Sequence, residues 1–162
     1  MKNTLVVVTD LGGFKAFRLD DTQWQATPRL ELVAEFRNPD AHERLVDSVT
    51  DLSGRFPRNG SGPKVARAMS DGERHNVQLE HRRRLIRQIA RRLNPLLRSD
   101  EVERCFLAAS REINHPLLAE LEAGARARIA RNIPADLTKV GKAELLGRFQ
   151  PIPRLNTLNA VS

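Results

Sequence analysis

Residues Thr4–Thr9 read TLVVVT. β-Branched side chains are stiff at χ1 and pack well on a pleated surface, and a run this short makes no stable helix. Because both of its faces are apolar, the run predicts a central strand buried on both sides. Asp10-Leu11-Gly12-Gly13 follows, and its glycines admit the positive φ of a tight turn. Phe14–Leu19 then alternates apolar and polar residues, the pattern of a half-buried hairpin partner. After Asp20-Asp21, Leu30–Phe36 alternates again, which puts Leu30, Leu32, Ala34 and Phe36 on one face. Three antiparallel strands in succession make a β-meander.

Periodicity is lost after Asn38-Pro39. His42 to Gly62 is polar and broken by Gly54, Pro57 and Gly60, with Pro63 next. A long stretch without clear structure is uncommon inside a compact domain and is usually functional or disordered. Ser70-Asp71-Gly72-Glu73 has the spacing of a capping box, in which Ser70 and Glu73 satisfy each other's backbone N–H groups. The helix it opens is expected to run to about Leu93 and to stop at Asn94-Pro95. At 100° per residue, Leu79, Ile86, Ile89, Ala90 and Leu93 form one apolar stripe, with Arg84, Arg87 and Arg91 opposite. Arg82 and Arg83 fall near the edges of the stripe, which suggests that the first half of the helix projects beyond the body.

Further on, Arg104–Ala109 reads as a buried strand containing Cys105. Pro116–Leu121 reads as a short helix with Pro116 in its first turn, where a missing N–H costs nothing. Arg126–Ile133 reads as another strand, and Lys142–Phe149 as an amphipathic helix using Leu145, Leu146 and Phe149. The order predicts an α/β fold with a single mixed sheet: an N-terminal three-strand meander plus two strands from αβ units, with flanking helices. That order is ribonuclease-H-like or ribosomal-protein-like. Residues 1–150 are expected to form one domain with a long basic loop at 50–70, and residues 151–162 a C-terminal tail.

Charge is concentrated. Arg55 to Arg92 holds eleven Lys/Arg against Asp71, Glu73 and Glu80, a balance of +8 in a chain of +7. The other 124 residues therefore sum to about −1. Such a block suits a polyanion, because each cation that neutralises a phosphate releases a condensed counterion. The plain alternative is a solvated helix face. The candidate nucleic-acid contacts are Arg55, Arg58, Lys64 and Arg67 in the loop, and Arg84, Arg87 and Arg91 on the helix. Asp51, Gly54, Gly60 and Gly62 are read as shaping the loop. One Trp, six Phe and no Tyr argue against a platform for stacked bases.

The remaining chemistry is sparse. Asp10 ends the first strand, where a nuclease of this fold places a metal-binding carboxylate, with Asp47 and Asp51 as imaginable partners. Asp before Leu-Gly-Gly is also ordinary turn chemistry, and the spacing shows no convergence of carboxylates. His42, His75, His81 and His115 are scattered without a zinc pattern. Ser61 lies between glycines but lacks nucleophile-elbow spacing, and Gly60–Lys64 lacks phosphate-loop spacing. No metal or cofactor is expected. A lone Cys105 forms no internal disulfide, and no run approaches the ~18 apolar residues of a membrane span. The N-terminal apolar run meets Asp10 at once and reads as a strand rather than a signal peptide. The expected location is the cytoplasm.

Two longer stretches carry more. Ala41–Phe56 reads AHERLVDSVTDLSGRF, and Ile129–Lys139 reads IARNIPADLTK. With VVVTD near the start, they resemble the bacterial host attachment protein family, named for proteins required for attachment to host cells. The resemblance covers roughly Leu5 to Phe149. Its most distinctive parts are Asp51, Gly54 and Arg55, and the unit Asp136-Leu137-Thr138. That family is similar to the middle domain of archaeo-eukaryotic peptide-chain release factors. There, a Gly-Gly-Gln tripeptide in the long loop helps to hydrolyse peptidyl-tRNA. The corresponding place here reads Arg58-Asn59-Gly60-Ser61-Gly62-Pro63, without that tripeptide. The resemblance therefore implies docking on RNA or the ribosome more than catalysis. A peptidyl-tRNA or RNA hydrolase and an indirect part in attachment to host cells are the alternatives, and the oligomeric state is not legible.

Overall fold

The structure, a computed structural model, describes residues 3–20, 28–41 and 71–149. Its elements are β1 (Asn3–Asp10), β2 (Gly13–Asp20), β3 (Arg29–Arg37), α1 (Asp71–Arg98), β4 (Val102–Ala109), α2 (Arg111–Glu120), α3 (Ala123–Arg126), β5 (Ile129–Ile133) and α4 (Lys142–Phe149). The five strands form one mixed sheet in the order β3-β2-β1-β4-β5. β1 pairs antiparallel with β2 and parallel with β4, β2 pairs antiparallel with β3, and β4 pairs parallel with β5. This is the expected α/β architecture, and its strand order is compatible with a ribonuclease-H-like fold.

The valines of β1 occupy the centre, as their both-sided apolarity requires. Val7 packs on one face with Ile89, Leu93, Leu107 and Ile113, beneath α1 and α2. Val6 and Val8 pack on the other with Leu137, Leu145 and Phe149 of the C-terminal part. Cys105 lies in the first cluster and is 0% exposed.

The β1–β2 turn is held by close contacts. Gly13 has φ of 142°, and a Cβ built on it would stand 1.9 Å from the Phe36 carbonyl oxygen. Only glycine fits there. The hydroxyl of buried Thr9 donates to the Gly13 carbonyl at 2.8 Å.

Four expectations need correction. β3 does not keep Leu30, Leu32, Ala34 and Phe36 on one face. The register shifts so that Ala34 pairs with Ala16 but Leu32 with Phe17. The extra residue, Val33, is a bulge, and a one-residue slip exchanges faces. Leu30 accordingly joins the second core cluster, while Ala34 and Phe36 pack on the first.

α1 does not stop at Asn94-Pro95 but continues to Arg98. Pro95 is on the exposed face, so the Arg91 carbonyl that it leaves without an intrahelical donor lies on the wet side. The extra turn buries Leu97 to 0% exposure, worth about 1.5–3 kcal/mol, which offsets a proline cost of about 3 kcal/mol.

α2 begins at Arg111, so Pro116 sits in its interior rather than its first turn. Pro116 is likewise exposed, while Ile113 and Leu117 hold the helix to the core. Residues 123–126 form the short helix α3, so the strand expected from Arg126 starts only at Ile129. Ala123 and Ala125 favour helix, and Ala125 is fully buried against the first cluster.

Candidate nucleic-acid interface

α1 is oriented by its buried stripe. Ile86, Ile89, Ala90 and Leu93 are buried as expected, and Leu85 joins them, whereas Leu79 is half-buried. With 3.6 residues per turn, that anchoring turns Arg84, Arg87 and Arg91 to solvent, and all three are exposed. Residues 72–78 are exposed throughout. Ser70, the first member of the expected capping box, is outside the described residues. So are the loop candidates Arg55, Arg58, Lys64 and Arg67 and the shaping residues Asp51, Gly54, Gly60 and Gly62.

The arginines of α1 divide by partner. Arg82 meets Glu112 at 3.8 Å, Arg83 meets Glu80 at 3.0 Å, Arg87 meets Glu120 at 3.7 Å and Arg98 meets Glu122 at 2.5 Å. Among the described residues, Arg84 and Arg91 have no carboxylate within ion-pair distance. Arg92 sets its guanidinium 5.4 Å from the centroid of the Phe36 ring, a cation–π arrangement. Periodicity alone did not single out Arg92, because its partner is on β3 and no local pattern links the two.

Beside this pair, α1 is locked to the end of β3. Asn38 Nδ2 donates to Gln88 Oε1 at 2.6 Å, and Gln88 Nε2 donates to Asp40 Oδ2 at 3.1 Å. The Asp40 N–H donates to Asn38 Oδ1, and the Asn38 N–H to the Gly12 carbonyl. Asn38 is 4% exposed, and these bonds satisfy a polar side chain that burial would otherwise penalise.

The carboxylate end of β1 behaves as a turn. Asp10 Oδ1 accepts the Gly12 N–H at 2.8 Å, and its Oδ2 lies 3.4 Å from the Thr138 hydroxyl oxygen. Asp136 accepts both the N–H and the hydroxyl of Thr138, at 3.0 and 2.6 Å. Leu137 between them is buried in the second cluster. The Asp-Leu-Thr unit thus closes its own loop against Asp10. Asp47 and Asp51, the other imagined metal partners, are outside the described residues. Among the described residues, no group of three or more His, Cys, Asp or Glu side chains could hold a metal. His75 and His115 are exposed, and His81 is half-buried. No helix among the described residues is long and apolar enough to cross a membrane.

The elements from β1 to α4, including the Asp-Leu-Thr loop, fall within one family match. A model described as "Protein required for attachment to host cells" covers residues 5–148. The chain belongs to this host attachment family. No curated protein matches it. Every strand and helix above lies in the matched span save the ends of β1 and α4, so the arginine face of α1 is part of the family domain.

Proposed function

We propose that this host attachment family member is a cytoplasmic module that docks on RNA, in particular on the ribosome, through α1 and the basic segment before it. The observation that carries this reading is the division of the α1 arginines. Arg84 and Arg91 stand exposed with no carboxylate partner among the described residues, within a block, Arg55 to Arg92, that carries +8 while the rest of the chain sums to about −1. Cations left unpaired on one directed face favour a phosphate-bearing partner.

A kinship of this family with the middle domain of release factors, which we propose together with this reading, would give it a ribosomal setting. The segment Arg58–Pro63 lacks the Gly-Gly-Gln tripeptide, which argues for docking without peptidyl-tRNA hydrolysis. On this reading, attachment to host cells follows indirectly, through an effect on translation or regulation. Ultraviolet crosslinking in intact cells tests the proposal. Ribosomal RNA should be recovered with the protein, crosslinked through α1 peptides. Recovery of no RNA above an untagged control would remove the reading.

A further inference from the structure

Resting on the RNA-docking reading, we infer that the notch between α1 and the end of β3 is a seat for the phosphodiester backbone that takes phosphate without reading bases. The notch has a volume of about 290 Å³ and is lined by Phe36, Asn38, Pro39, Gln88, Arg91 and Arg92.

Three observations meet there. First, Arg91 and Arg92 are both exposed, and neither has a carboxylate within ion-pair distance among the described residues. Most other arginines of α1 do. The carboxylates at the adjoining positions are engaged: Glu35 pairs with Arg37 at 3.1 Å, and Asp40 accepts from Gln88. Two guanidiniums are thus left for an anion from outside.

Second, Arg92 is positioned in advance. Its guanidinium rests over Phe36 at 5.4 Å, so less side-chain freedom is lost when it binds phosphate. Planar guanidinium also matches phosphate oxygens bidentately.

Third, the wall offers little to a base. The amides of Asn38 and Gln88 bond to each other and to Asp40, and the face of Phe36 is covered by Arg92. Each amide spends its oxygen and one N–H on these internal bonds, and Arg92 occupies a face of the Phe36 ring, so little of the wall is free to read a base edge or to stack a base. What remains is charge with fixed geometry, the part of a nucleic-acid contact that positions without specifying sequence.

Fluorescence anisotropy tests this with the full chain and two unrelated labelled single-stranded RNAs, each titrated across a range of salt. Arg91→Gln/Arg92→Gln should lower the slope of log affinity against log salt by about 1.4, the loss of two phosphate contacts on a single strand. The affinity loss should be equal for both sequences. Arg91→Lys/Arg92→Lys should keep the slope. Phe36→Leu should weaken binding about two- to fivefold by releasing Arg92 while leaving the slope near wild type. If wild type binds and the Gln pair keeps the wild-type slope, the seat is refuted while RNA docking stands. A loss that differs between the two sequences also overturns it, since bases would then be read. If wild type binds neither RNA, docking and seat fall together. Thermal melts confirm folding, and if the Gln pair does not fold, an unchanged affinity in Phe36→Leu would overturn the seat.

Discussion

Arg87 Nε lies 3.7 Å from Glu120 Oε1, so a carboxylate of α2 holds the middle arginine of the α1 face. Both side chains are about half exposed, and such a pair contributes at most about 1 kcal/mol to folding. Its larger effect is on the field of that face. Glu120→Gln should therefore leave the melting temperature nearly unchanged and tighten RNA binding about two- to threefold at low salt, fading as salt screens the face. Anisotropy titrations check this, and weaker binding would mean that this face does not meet the polyanion.

Gly13 is the position where a single methyl group should do most harm. Its φ of 142° and the Phe36 carbonyl oxygen 1.9 Å from a built Cβ leave no room for a side chain. Gly13→Ala should cost about 3 kcal/mol or more, because both strain and a backbone clash oppose it. Denaturant unfolding measures the loss.

Burial pushes the Cys105 thiol up from 9.0 to about 12. A folded-state value above the unfolded one means that the native protein holds the proton more tightly. The stability this contributes is full below about pH 9 and is lost as the pH rises towards 12. Melts across that window should fall less steeply for Cys105→Ala than for wild type. The thiol should also resist alkylation in the native protein at neutral pH and react once the chain is unfolded.

Asn114 and Asn132 exchange amide hydrogen bonds, 2.8 Å in each direction, and so clasp α2 to β5. Asn114 is 7% exposed, while Asn132 is exposed and can turn to water when the clasp is lost. Asn114→Ala should cost about 1–2 kcal/mol. A shift of the denaturant midpoint without a change of slope would report it.

Much of this fold is legible in the sequence because its signals are local. TLVVVT, the Gly-Gly turn and the stripe from Ile86 to Leu93 each carry their own periodicity, and the structure keeps them. The misplaced boundaries are those where tertiary burial outweighs a local rule. Pro95 and Pro116 both lie on the exposed face of their helices, where the carbonyl each leaves without a donor can meet water. The bulge at Val33 leaves no composition signal, since Val suits a regular strand as well as a bulged one. The arginine face was legible from angle alone. Which of the α1 arginines hold a carboxylate was not, because Glu112, Glu120 and Glu122, the partners of Arg82, Arg87 and Arg98, lie beyond α1 in the chain.

We propose that the arginine face of α1 docks on the ribosome. The most direct measurement is co-sedimentation of the purified chain with ribosomes through a sucrose cushion over a range of salt. Wild type and the Arg84→Glu/Arg87→Glu/Arg91→Glu variant would be run side by side, with circular dichroism confirming that the variant is folded. Wild type should sediment with ribosomes at low salt and be released as salt rises, while the folded variant stays in the supernatant. Equal, salt-insensitive sedimentation of the two proteins would contradict it.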